Sequence, residues 1–533
     1  MRKSILFCLL FVYGYAVAQE DAWIYFSDKP DADFYLANPL EMLTQRALDR
    51  RATCNVQLDV IDVPIHAAYV EQIAQSPGII VMAKSKWLNA VHVRGTELAI
   101  NALQAYPFVS EVVFADRSLN SFDRRAPRQS MPRKFETEEI FLYGSSANQI
   151  ELHNGQILHE GGFTGQGKII AVMDSGFPGV PIAGPFSRLI TQNQILGGYN
   201  YVSNSPNVYA LNSHGTLVLS TMGGFAVNQL IGTAPDASYL LFVTEDASSE
   251  NPVEESYWVA AAEEADRLGA DIINTSLGYF SYDDADYNYL YEDLNGTTSF
   301  ISRGANIAFS RGMVVVVSAG NSGNSSNPYI SMPADAPGAL TVGAVDQNGA
   351  YASFSSVGPT ADGRIKPDVV AKGVQATVSL PSGAVQTANG TSFSGPIIAG
   401  LTATLWSALP SYTHQQIVDL IKASSHLFET PTMFMGYGIP DFASAYFNGL
   451  NSVESTEQKI ILFPNPAVDQ VAVLYDPAAG EAAVTIYNAV GQSVLKTTTQ
   501  SGAAINTQKL PYGTYFYKIN IGTDNFSGKL IIR

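Results

Sequence analysis

Between residues 144 and 448, short and almost wholly apolar runs alternate with longer stretches of helical period. The runs lie at 169–173, 239–243, 271–275, 313–318 and 340–345, and helices are expected at 215–223, 253–268, 299–311, 395–409 and 413–423. Near-continuous apolar strands separated by helices imply a sheet covered on both faces. The expected fold is therefore α/β, with a doubly wound, mostly parallel sheet.

The flanks have a different texture. Residues 23–113 read as a small α+β unit, with strands at 56–60, 78–82, 90–93 and 109–114 and helices at 67–74 and 96–106. A polar stretch follows that contains Arg124, Arg125, Arg128, Arg133 and Lys134, and such a segment is expected to be exposed and open to proteases. Residues 449–459 read as a polar linker. From Ile460 onward, short alternating strands at 471–475, 483–487, 514–521 and 528–532, punctuated by turns at 488–491 and 510–513, predict a small β-sandwich.

At the start of the chain, Arg2 and Lys3 precede an apolar run at 5–12, and Ala16, Val17 and Ala18 follow it. This is the pattern of a secretory signal peptide cut after Ala18, too short and too closely followed by small residues for a membrane anchor. No transmembrane segment is expected further on. The expected organisation is a signal peptide at 1–18, an α+β unit with its cleavable linker at 19–130, the α/β domain at 144–448, a linker at 449–459 and the β-sandwich at 460–533.

Composition narrows the picture. Of 533 residues, 46% are hydrophobic and 15% charged, which suits globular domains rather than disorder. The formal net charge of -18 argues against a nucleic-acid partner, whose footprint is a basic face. The only two cysteines are Cys8, within the signal peptide, and Cys54, so the processed chain has no disulfide framework. HExxH, paired CxxC and P-loop motifs are absent, and neither a catalytic metal nor a nucleotide is expected.

Three places carry chemistry. The apolar run at 169–173 ends in Asp174, Ser175 and Gly176, a carboxylate at the carboxyl edge of a parallel strand, where open α/β sheets place functional groups. His214, in Ser213-His214-Gly215-Thr216, opens an apolar helical segment; the other six histidines have no comparable setting. In Asn389-Gly390-Thr391-Ser392-Phe393-Ser394-Gly395-Pro396, small residues flank a serine at the start of a helix, where free N–H groups favour an oxyanion.

Together these motifs resemble those of subtilisin-like serine peptidases (the S8 family), in that family's order of Asp, His and Ser. The resemblance covers about residues 144–448. It implies a catalytic triad of Asp174, His214 and Ser392, an acyl-enzyme route and protein or peptide substrates. Ser318-Ala319-Gly320-Asn321 resembles the family's oxyanion segment, with Asn321 as donor beside the Ser392 N–H. Ser276, Leu277 and Gly278 resemble its substrate-binding strand, faced by Ala319 and Gly320. The sequence departs from the pattern at Leu217, Leu219, Ser220 and Gly395, none of them a triad position. An α/β-hydrolase esterase needs a GxSxG elbow and Ser-Asp-His order, and neither is present.

The resemblance extends to the flanks. The N-terminal unit looks like the family's propeptide, an intramolecular inhibitor removed at the arginine-rich stretch. The C-terminal unit resembles the type A sorting domain of the Bacteroidetes type IX secretion system, through Leu462-Phe463-Pro464-Asn465-Pro466, Val484-Thr485-Ile486-Tyr487-Asn488 and Gly513-Thr514-Tyr515. It implies export across both membranes by that machinery, to the surface or the medium. Asp283, Asp284, Asp286, Glu292 and Asp293 are candidates for a structural calcium site, weighed against a solvated acidic insertion.

Overall fold

Four valines in a row at 314–317 put apolar side chains on both faces of the strand they form, so it needs cover on both. The computed structural model describes residues 19–120, 141–452, 460–463, 465, 467–475, 477–488, 492–522 and 524–532. The expected signal peptide at 1–18, the basic stretch at 124–134 and linker residues 453–459 lie outside the described residues.

The N-terminal unit is a four-stranded antiparallel sheet of order β2-β3-β1-β4, built from β1 (Glu20–Phe26), β2 (Ile80–Ser85), β3 (Ala90–Gly95) and β4 (Val109–Phe114). The helix expected at 67–74 forms at Ala67–Ala74. That expected at 96–106 stops at Ala102 and finishes as a 3₁₀ turn over Leu103–Ala105, because Pro107 disfavours helical backbone at the residue before it. The strand expected at 56–60 does not form. Asp59 accepts the Ile61 N–H and Asp62 the Asp59 N–H, a capping box that starts a 3₁₀ turn there instead.

The central domain is a seven-stranded sheet of order β11-β10-β9-β8-β5-β7-β6, parallel at every pairing. Its strands are β5 (Ile169–Asp174), β6 (Ile195–Asn200), β7 (Ser238–Val243), β8 (Ile272–Thr275), β9 (Val314–Ser318), β10 (Ala339–Val345) and β11 (Val369–Lys372). Five of them coincide with the five apolar runs. β6, with Gly197 and Gly198, and β11, only four residues long, give too little apolar sequence to stand out.

Helices pack on both faces. α2 (His214–Gly223) and α5 (Thr391–Ala408) lie on one side. α3 (Val253–Leu268) and α4 (Phe300–Ser310) pack against each other and carry the N-terminal unit. Every residue of α5 is buried, as expected of a helix apolar all round. α5 begins four residues before the expected start at 395, because Gly390, at φ 146°, makes the turn into it and Pro396 is tolerated inside.

β1 is apolar on both faces, for two different reasons. Ala22, Ile24 and Phe26 face the unit's own core with Ile73, Val91, Val93 and Ile100. Trp23 and Tyr25 face the central domain; the Trp23 ring stacks on Phe300 at 5.1 Å and its Nε1 donates to Ser256 Oγ. The helix at Gln45–Thr53 (α1) brings Arg50 and Arg51 to Asp266 of α3, and Arg51 also holds Asp62 at 2.7 Å.

The C-terminal unit packs a three-stranded sheet (Ile461–Phe463, Gln470–Leu474, Ala504–Asn506) on a four-stranded one (Ser493–Thr499, Ala482–Tyr487, Gly513–Ile521, Asp524–Ile532). Val471, Val473, Val484, Ile486 and Ile519 fill the space between, so this is the expected β-sandwich. Among the described residues no helix is long and apolar enough to cross a membrane.

Candidate active site

Asp174 closes β5 without exposed surface. Its Oδ1 accepts the Ser175 N–H at 2.8 Å and meets His214 Nδ1 at 2.8 Å. His214 is the first residue of α2, and its own N–H is held by Asn212 Oδ1 at 2.9 Å. Gly215 is required beside it, because a Cβ there would come within 2.5 Å of the Gly176 carbonyl and 2.9 Å of the Asp174 Cβ. Burial pushes the His214 pKa down, but the charge of Asp174 and its hydrogen bond outweigh this and leave it above 6.5.

Ser392 is the second residue of α5, and its N–H is one of the first-turn donors that have no intrahelical acceptor. The ring of Phe393, the next residue, lies 6.0 Å from that of His214. No hydrogen bond joins Ser392 to His214, a looseness expected of an unliganded site.

Pro396 shapes this turn from four residues away. Having no N–H, it leaves the Ser392 carbonyl without its helical donor, and Ser276 Oγ donates to that oxygen instead at 3.0 Å. Ser318 Oγ likewise donates to the Thr391 carbonyl at 2.8 Å. The Gly395 departure has its reason here, since a Cβ on Gly395 would come within 2.7 Å of Ser318 Oγ.

Asn321 is fixed by its oxygen. Oδ1 accepts the Thr391 N–H at 2.9 Å and the Thr391 hydroxyl at 3.1 Å, which turns the Nδ2 donors away from Thr391. Asn321 and Ser392 line one cavity of about 400 Å³, together with Ser276, Leu277, Gly278 and Gly320. Ala319 is buried behind it and is not part of that lining. The cavity also includes Ser331, which the sequence reading passed over. A Cβ on Gly278 would lie 2.1 Å from Ser331 Oγ, and one on Gly320 3.4 Å from it, so this hydroxyl lies between the two walls.

Three residues of the acidic run weighed for calcium have partners within the protein. Asp283 accepts the Glu250 N–H, Asp284 the Asp286 N–H, and Asp293 the Leu290 N–H together with an ion pair to Arg117. Among the described residues, the three carboxylates that converge within 4.8 Å are Glu245, Glu250 and Glu254. His153 and His159 are buried on carbonyls, with pKa values pushed down to about 4 by burial, and have structural settings.

The fold and site define a class: a parallel α/β domain with an aspartate at a strand's carboxyl edge and a histidine and a serine each opening a helix beside it. The model of the subtilase family matches residues 165–443, more than half of the chain, and the chain belongs to that family. The model of the Bacteroidota peptidase S8 propeptide domain matches residues 21–133, and that of the secretion system C-terminal sorting domain matches residues 461–533. The sorting domain marks the chain for the cell surface or the extracellular space.

Subtilisin NAT from Bacillus subtilis subsp. natto is 32% identical over 273 residues, 50% of this chain and 63% of that protein. Subtilisin Savinase from Lederbergia lenta is 32% identical over 267 residues, 50% of this chain and 85% of that protein. The chain thus spans less than two thirds of the length of subtilisin NAT. The crystal structure of MycP1 from Mycobacterium smegmatis is 22% identical and has a TM-score of 0.46, covering 59% of this chain and 87% of that one.

Proposed function

We propose that this chain is a secreted serine endopeptidase that hydrolyses peptide bonds in proteins, with Asp174, His214 and Ser392 as its triad. The observation that carries the reading is the 2.8 Å hydrogen bond from His214 to a fully buried Asp174, beside a cavity lined by Ser392 and Asn321.

In this reading Ser392 Oγ attacks the scissile carbonyl while His214 Nε2 takes its proton. Asp174 accepts the Nδ1–H, which fixes the useful tautomer and stabilises the charged ring. Asn321 Nδ2 and the Ser392 N–H receive the oxyanion. His214 returns the proton to the leaving amine, and a water then releases the acyl group by the same route. The substrate backbone pairs with 276–278 by strand addition.

The N-terminal unit, 19–130 with its linker, serves as an intramolecular inhibitor until it is cut within 124–134. The catalytic domain is 144–448, and residues 460–533 direct export across the outer membrane through the type IX machinery after the signal peptide at 1–18 has served at the inner one. The test is turnover of a protein substrate by the purified enzyme and by Asn321→Ala. The variant is expected to lose about 10²–10³ in kcat with KM little changed. Normal turnover would remove Asn321 from the oxyanion role, and absence of hydrolysis by wild type would remove the peptidase reading itself.

A further inference from the structure

Among the residues lining the Ser392 cavity, Glu250 alone is charged; most of the rest offer hydroxyls, amides or bare backbone, Ser331, Asn327 and Tyr329 among them. We infer that Glu250 selects substrates with a lysine or arginine among the four residues on the acyl side of the scissile bond. The inference rests on the peptidase reading and names its substrate class.

Glu250 is held in place by its backbone: its N–H donates to Asp283 Oδ2 at 3.2 Å, and its carbonyl accepts the Asp283 N–H at 3.0 Å. Two more carboxylates stand behind it, and both are occupied. Glu254 accepts the N–H groups of Asp246 and Asn251 at 2.8 Å each, and the buried Glu245 accepts the Tyr279 hydroxyl at 2.7 Å. Glu245 also hydrogen-bonds to the Glu250 carboxylate, and of the three only Glu250 lines the cleft. Burial, and then the charge of Asp283, push its carboxyl above the ordinary range. A substrate cation offsets that repulsion and donates charge-assisted hydrogen bonds to the carboxylate.

The chain's own sequence is complementary. The segment to be cut if the N-terminal unit is to leave, 124–134, holds five basic residues and no acidic one. The described part of the N-terminal unit ends at Asn120, and Arg117, three residues earlier, is bound to the Asn288 carbonyl and to Asp293. Both follow closely on Phe280 and Ser281, which line the cleft with Glu250, and the Tyr289 N–H between them donates back to the Phe280 carbonyl. The last described turn before the basic segment is thus anchored to the stretch that reaches the cleft beside Glu250.

The experiment uses enzyme produced from the full chain and pairs of peptides that differ only by lysine or glutamine at one of the four acyl-side positions. Wild type is expected to favour the lysine peptide in kcat/KM by about tenfold or more at one position. Glu250→Gln should lower that ratio by about tenfold, and Glu250→Lys should favour a glutamate peptide instead. A wild-type ratio near one at all four positions, or a ratio unmoved in Glu250→Gln, would overturn the inference while leaving the peptidase reading intact. Cleavage of neither peptide by an enzyme that still digests casein would overturn it too. Failure on casein as well would overturn the peptidase reading, and this inference with it.

Discussion

Asp266 offers the sharpest test of how the N-terminal unit is held. It lies on α3 with no exposed surface and receives a guanidinium from each of Arg50 and Arg51, whose side chains are themselves only 2% exposed. Asp266→Ala would leave one buried cation uncompensated, because the two arginines would then have only Asp62 between them. Removing one partner of a buried pair costs roughly 3–5 kcal/mol. The value here belongs at the low end. Arg51 keeps Asp62 at 2.7 and 3.0 Å, and Arg50 keeps the carbonyls of Ala270 and Arg311. About 3 kcal/mol corresponds to about 150-fold in the opening equilibrium. The paired arginines hold the Asp266 pKa well below its ordinary range, so this contribution is present above about pH 4 and is lost only as pH falls through the depressed value. Hydrogen exchange at neutral pH, with Ser392→Ala as the background to prevent self-cleavage, reads the effect at the amides of Gln45–Thr53. Exchange there should speed up by about 150-fold while β9 stays protected. A change below fivefold, or an equal loss of protection in β9, would refute the reasoning.

Three other outcomes follow from the site and the domain boundaries. Ser276→Ala leaves the buried Ser392 carbonyl without a donor and should cost about 1–3 kcal/mol of stability, read from the denaturation midpoint; no change would mean that another donor replaces it. Because His214 must be unprotonated to accept the serine proton, kcat/KM should rise with pH through a limb above 6.5, and Asp174→Asn should move that limb down as well as lowering the plateau. The same ionisation acts on stability in the opposite sense: protonated His214 stabilises the fold fully below 6.5, and this is lost as pH climbs through the raised value. Truncation after Ser452 should leave peptidase activity but trap the enzyme in the periplasm of the native host, whereas wild-type levels in the medium would deny residues 460–533 their sorting role.

The central sheet was legible because its strands are apolar on both faces and stand out as runs, the valines at 314–317 most plainly. β1 was missed for a related reason: Trp23 and Tyr25 serve one core and Ala22, Ile24 and Phe26 another, so the strand shows no alternation by which to recognise it. The buried charges were beyond a local reading. Arg50 and Arg51 look like the solvated face of a helix until Asp266, more than 200 residues later, is placed against them. At the site, the motifs single out Asp174, His214, Ser392 and Asn321 as candidates, but say nothing of what supports them. The one available signal was Pro396, whose missing N–H announces a free carbonyl at Ser392 without naming Ser276 as the group that meets it. Glu245, Glu250 and Glu254 are spread over a loop and the start of a helix, and only the fold brings their carboxylates together.

The central claim is that Ser392 is the nucleophile and that His214 makes it so. Treating the processed enzyme with a fluorophosphonate and locating the adduct by peptide mass spectrometry tests both parts at once. The account predicts a single adduct, on Ser392, formed far more slowly in His214→Ala and absent in Ser392→Ala. An adduct on another serine such as Ser394 or Ser318, or labelling of Ser392 at the same rate without His214, would contradict it.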